Sequence, residues 1–165
     1  MEFYNETIRI AVNLYARNEK EGEEKYGHIN TWNVSGVTNM GALFGFAKSF
    51  NQLLNKWDVG NIIHMEWMFC NALSFNQPLD NWNVSNVITM IKMFKYAQSF
   101  NQPLSNWNVG KVTNMDDMGY MFDNTTIGEM LKKHNLTNKE FFESPINKKV
   151  YHDTSLVIYK IDYII

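Results

Sequence analysis

Apolar and polar positions along the chain recur at a fixed interval of 25 residues. Trp32, Trp57, Trp82 and Trp107 mark the interval, and each opens a segment that nearly copies the one before it. The units beginning at Trp57 and Trp82 agree at 15 of 25 positions. A period of this size is the signature of stacked repeats, in which each unit buries its apolar face against its neighbours. Counting from the tryptophan, position 3 is Val34, Val59, Val84 and Val109, so Trp and Val share one face of a short strand. Position 4 is Ser35, Gly60, Ser85 or Gly110, residue types suited to a turn or a helix N-cap. Apolar residues then recur at positions 6, 9, 12, 13 and 16, which in the third unit are Val87, Met90, Met93, Phe94 and Ala97. Steps of three and four predict a single helical stripe. The expected fold class is an α/β repeat solenoid, with a short strand and a helix of about three turns per unit, closed by terminal lids.

A return loop is nearly identical in three copies: Ser49-Phe50-Asn51-Gln52, Ser74-Phe75-Asn76-Gln77 and Ser99-Phe100-Asn101-Gln102. Stacking predicts a buried spine of Phe50, Phe75 and Phe100. Asn51, Asn76 and Asn101 are expected to form a ladder that satisfies backbone groups the loop leaves unpaired.

The ends depart from the repeat. Ile8, Ala11, Val12 and Tyr15 fall at helical spacing and predict a helical lid over 5–18, followed by a charged, solvated link over Glu19–Lys25. The fourth unit starts faithfully with Trp107, Val109, Val112, Met115 and Met118, and then breaks at Gly119-Tyr120-Met121-Phe122. Beyond it, Ile127, Met130, Leu131 and His134 predict a short helix. Thr137 with Glu140 reads as a capping box before a second one. Val150–His152 and Leu156–Ile165 read as strands, the last a lid on the final rung, an edge that pairs with another chain, or the remnant of a longer array. The expected organisation is a cap and link over 1–25, repeats over 26–123 and a non-repeat segment over 124–165.

The run Trp-Asn-Val-Ser-x-Val-Thr-x-Met-x-x-Met-Phe-x-x-Ala-x-Ser-Phe-Asn-Gln-Pro-Leu, best matched by residues 82–104, resembles the BspA-like leucine-rich-repeat surface-protein family. That family occurs in bacterial surface proteins, mycoplasma lipoproteins and some large DNA viruses. The resemblance covers about residues 26–118 and implies a leucine-rich-repeat-like solenoid, adhesion or protein binding, and no catalytic residues. The chain lacks the family's signal peptide, lipobox cysteine and cell-wall anchor, so an intracellular or virus-infected-host location is expected from the sequence, against a cell surface from the resemblance.

Charge and composition narrow the function. A formal net charge of −2 and a pI near 6.1 argue against a nucleic-acid or anionic-membrane binder. No run of 18 apolar residues occurs, so no membrane insertion is expected. His28, His64, His134 and His152 are scattered without metal-ligand spacing, and Cys70 is a lone thiol. Asp116 and Asp117 are adjacent carboxylates that diverge on a helix. Neither an enzyme nor a cofactor or metal protein is expected.

Variation among the copies marks positions free for recognition. Position 10 holds Gly41, Glu66, Ile91 and Asp116; position 11 holds Ala42, Trp67, Lys92 and Asp117; position 15 holds Phe46, Asn71 and Tyr96. An aromatic ring among mixed charges is the usual chemistry of an interaction hot spot. The candidate partner-binding set is Phe46, Glu66, Trp67, Ile91, Lys92 and Tyr96, on a helix-side surface facing an unknown protein partner. The alternative is a structural protein that self-associates through its C-terminal strand.

Overall fold

Each tryptophan-led unit forms one rung, and the rungs stack in chain order. The computed structural model describes residues 1–113 and 120–143. A repeating set of main-chain hydrogen bonds joins the rungs. N–H groups at positions 9, 11, 13 and 15 donate to carbonyls at positions 8, 10, 12 and 14 of the next rung. In the first rung these are Met40 to His64, Ala42 to Glu66, Phe44 to Met68 and Phe46 to Cys70, at 2.8–2.9 Å. The second rung repeats the pattern onto Thr89, Ile91, Met93 and Lys95. The intervening N–H groups turn back within the rung, Leu43 to Met40, Gly45 to Ala42 and Ala47 to Phe44. Each rung is thus a run of overlapping β-turns. Positions 11 and 15 carry the positive φ that a type II turn requires at its third residue, from 53° at Ala42 to 63° at Phe46.

This overturns the expected α/β leucine-rich-repeat-like solenoid with a strand and a helix per unit. Among the described residues there is no strand and no sheet, only isolated parallel bridges joining Glu2 to Asn33, Asn39 to His64 and His64 to Thr89. No α-helix falls between Trp32 and Val112. The reason is local. A left-handed residue every fourth position breaks the right-handed helix, and the N–H groups that a helix would direct to i−4 carbonyls go to the neighbouring rung. Turns that point positions 9, 12, 13 and 16 inward leave the same three-and-four spacing of apolar residues as a helix does.

The interior is a set of parallel columns. Trp32, Trp57 and Trp82 stack at 6.4 and 6.5 Å. Phe44, Phe69, Phe94 and Phe122 stack at 5.3, 5.5 and 5.8 Å. Phe50, Phe75 and Phe100 stack beside them at 6.0 Å each. The indole Nε1 of Trp57, Trp82 and Trp107 donates to the carbonyls of Ile29, Leu54 and Leu79, so each ring is both packed and hydrogen-bonded to the rung below. The expected asparagine ladder is present. Asn51 Oδ1 accepts from Asn76 N–H and Asn76 Oδ1 from Asn101 N–H, both at 2.9 Å. Position 2 holds a second polar column of local turns, with Asn33, Asp58, Asn83 and Asn108 each accepting from the N–H two residues on.

Helices close both ends. α1 (Asn5–Arg17) buries Ile8, Ala11, Val12 and Tyr15 on the first rung. Its Asn5 Oδ1 accepts from the N–H groups of Thr38 and Asn39. Arg9 Nη1 donates to the Gly41 carbonyl at 2.7 Å, standing where a preceding rung's N–H would stand. The segment expected to be a solvated link is instead helix α2 (Glu19–Tyr26). Asn18 caps it by accepting from Glu21 N–H, and acidic residues in its first turn and Lys25 in its last suit the helix dipole. Gly22 lies against Tyr15, where an added Cβ would sit 2.6 Å from the Tyr15 Cα.

At the other end the expected break at Gly119-Tyr120-Met121-Phe122 is a three-residue displacement. Phe94 N–H donates to Met121 and Tyr96 N–H to Asp123, and Phe122 continues the phenylalanine column. Asn124 takes the positive φ, 56°, that position 15 takes elsewhere. α3 (Thr126–Lys133) and α4 (Asn138–Glu143) follow. Phe142 stacks on Trp107 at 6.5 Å. The expected capping box is formed, with Glu140 Oε2 accepting from Thr137 N–H and hydroxyl, and Thr137 Oγ1 from Glu140 N–H. Met115, Met118 and the strands expected over Val150–His152 and Leu156–Ile165 lie outside the described residues. No helix among the described residues is long and apolar enough to cross a membrane.

Candidate interaction surface

Turn geometry decides which side chains leave the stack. Positions 11 and 15 have positive φ, and most of their side chains face outward while their backbone N–H groups hold the next rung. Phe46 is 67% exposed, and Trp67 and Tyr96 are 39% exposed each. The candidate surface is therefore turn-borne, where a helix face was expected. Lys92, half-buried, extends over Trp67 with its Nζ 4.4 Å from the ring centroid.

The structure adds two residues that copy-to-copy variation did not single out. Tyr120, more than half exposed, receives Lys92 Nζ at 5.7 Å and Lys95 Nζ at 5.3 Å from its ring centroid. Lys95 Nζ also lies 5.1 Å from the Tyr96 ring and pairs with Asp123 at 3.5 Å. The clue to Tyr120 was in the sequence: Met121-Phe122 repeats the Met-Phe pair of Met68-Phe69 and Met93-Phe94, three residues late. With that shift, Tyr120 immediately precedes the resumed turn column.

Two of the expected binding residues sit differently. Ile91 is half-buried. Glu66 is half-buried as well and lies over the first rung, where a Cβ at Gly41 would come within 2.9 Å of its Oε1. Its Oε2 is 3.7 Å from His64 Nδ1 and has no hydrogen-bond partner among the described residues. The structure thus joins Trp67, Lys92 and Tyr96 through Tyr120 and Lys95, leaves Phe46 protruding near the N-terminal end, and turns Glu66 toward His64.

Reactive groups elsewhere have local roles. Cys70 is buried, accepts from Asn71 Nδ2 at 3.4 Å, and burial pushes its thiol pKa up, the setting of an inert cysteine. His28 Nδ1 accepts from Asn30 N–H within its own turn. Among the described residues no three potential metal-ligating side chains cluster. His152, Asp116 and Asp117 lie outside the described residues.

The family described as Mycoplasma protein of unknown function, DUF285, matches residues 13–134, and the chain belongs to it. No curated protein and no solved structure matches.

Proposed function

We propose that this member of the DUF285 family is a protein–protein interaction module acting without catalysis, and that it recognises its partner through the outer turn face. Phe46, Trp67, Lys92 and Tyr96 form that face, with Tyr120 and Lys95 beside them.

The observation that carries the reading is the choice of residue at the left-handed positions. A φ near +60° suits glycine or asparagine and costs a residue with a Cβ on the order of 1 kcal/mol. Of the six such positions in the first three rungs only Asn71 is a relaxed choice; the others are Ala42, Phe46, Trp67, Lys92 and Tyr96. Core burial does not explain the rings, because none of the three lies in the interior. Exposed aromatics held on a strained, hydrogen-bonded backbone are rigid anchors, which lose little entropy on binding. The resemblance to BspA-like surface proteins, whose characterised members adhere or bind proteins, points the same way.

The test is affinity enrichment of a protein partner with wild type and with a Phe46→Ala/Trp67→Ala/Tyr96→Ala chain of matched thermal stability. A partner retained by wild type and lost by the variant is the expected result. A partner retained equally by both would place recognition elsewhere on the molecule.

A further inference from the structure

Resting on the reading of the outer face as a protein-binding surface, we infer that its central contact is with a carboxylate side chain of the partner, received by Lys92 and flanked by apolar residues that pack on Trp67 and Tyr96. The two lysines of this face are not equivalent. Lys95 is neutralised by Asp123 at 3.5 Å, and both side chains are mostly buried, at 19% and 25% exposure. Lys92 has no carboxylate and no hydrogen-bond acceptor among the described residues. Among the described residues its Nζ meets two rings, 4.4 Å from Trp67 and 5.7 Å from Tyr120. An ammonium over a ring keeps its full charge and its N–H donors, so it accepts an anion on the side the ring leaves open.

The surroundings favour one carboxylate over a polyanion. Glu66, the acidic residue just before Trp67, is turned toward His64 and the first rung and does not pair with Lys92. The chain carries a formal charge of −2, and the described face offers one unpaired ammonium where a nucleic acid needs a basic stripe. Rings on either side shield the ion pair from water, which turns a weak surface pair into a specific contact.

The probe is an end-blocked heptapeptide with one glutamate between a phenylalanine and a leucine, compared with the same peptide carrying glutamine. Binding is read from the Trp67 indole N–H in a nitrogen-15 correlation spectrum, the resonance being identified by its loss in Trp67→Phe. The glutamate peptide should shift this resonance saturably. Affinity should fall at least tenfold for the glutamine peptide and for Lys92→Met, survive in Lys92→Arg, and weaken as salt rises. Equal binding of both peptides, no effect of Lys92→Met, or no shift at all overturns the inference, as does an oligonucleotide that shifts Trp67 more strongly than the glutamate peptide. If the glutamate peptide fails while the Phe46/Trp67/Tyr96 variant still loses its captured partner, the carboxylate is wrong and the interaction face stands.

Discussion

Positions 9, 12, 13 and 16 of each complete rung face inward, with methionine at 9, leucine or methionine at 12, phenylalanine at 13 and alanine at 16. Positions 11 and 15, one or two residues away on the same turns, change at every copy: Ala42, Trp67, Lys92; Phe46, Asn71, Tyr96. Both sets belong to one hydrogen-bonded ladder, so the difference does not come from backbone order. It comes from what each side chain meets. Inward residues stack on an identical or similar neighbour one rung away, so a change at one copy is felt by its neighbours. Outward residues meet solvent and a few rings, so the backbone is fixed while the side chain is free to vary. This division separates residues that build the stack from residues available to a partner.

The sharpest way to break that division is a pair of tryptophan changes. Trp82→Ala removes a buried ring stacked on Trp57 and an indole hydrogen bond to the Leu54 carbonyl. It should cost about 3–5 kcal/mol. Trp67→Ala should stay within about 1 kcal/mol. Denaturant unfolding measures both, and equal losses would erase the distinction between the two sides.

Next in size is the polar counterpart of the core. Asn76→Leu removes the acceptor for Asn101 N–H and for Gln102 Nε2. Leaving a half-buried N–H unsatisfied should lower stability by about 1–2 kcal/mol, with hydrogen exchange accelerated at Asn101.

A matched pair of glycine changes sharpens the comparison further. Ala97→Gly, at a fully buried position, should destabilise by about 1 kcal/mol through lost packing and added chain entropy. Ala42→Gly, exposed and at φ 53°, should be neutral or stabilising by up to about 1 kcal/mol, because it relieves a left-handed alanine. Thermal melts that give both changes the same sign would contradict the turn geometry.

The smallest effect concerns the C-terminal lid. Hydrogen bonds from the Thr137 backbone and hydroxyl hold the exposed Glu140 carboxyl below the usual carboxylate range. A carboxyl depressed in the folded state stabilises above its unfolded pKa, and that contribution is lost as pH falls through the folded value. Glu140→Gln should therefore flatten the acid limb of lid stability, read from Trp107 fluorescence, since Phe142 of α4 stacks on that ring.

Much of this was legible in the chain. The interval of 25 gave the rung length, and the apolar positions named the buried set: Trp57, Val59, Ile62, Met65, Met68, Phe69 and Ala72 are all inside. Helix α1 was readable because Ile8, Ala11, Val12 and Tyr15 carry both helical spacing and burial. Helix α2 was not, because its fully buried residue is Gly22, whose missing side chain lets α2 approach Tyr15. Of the candidate surface, Phe46, Trp67, Lys92 and Tyr96 were singled out by variation among the copies. Tyr120 and Lys95 were missed because the three-residue displacement hid the fourth rung's alignment.

The sequence by itself determined the period, the inward residues and the first cap helix, since each of these is local or is repeated in register. Tertiary structure decided the backbone between the tryptophans. Apolar spacing of three and four fits a helix and a run of turns equally well. The choice fell to the turns because the N–H groups at odd positions find carbonyls on the next rung. That alternative exists only once a second rung is in place, and with it came the left-handed residues that put Phe46, Trp67, Lys92 and Tyr96 on the outer face.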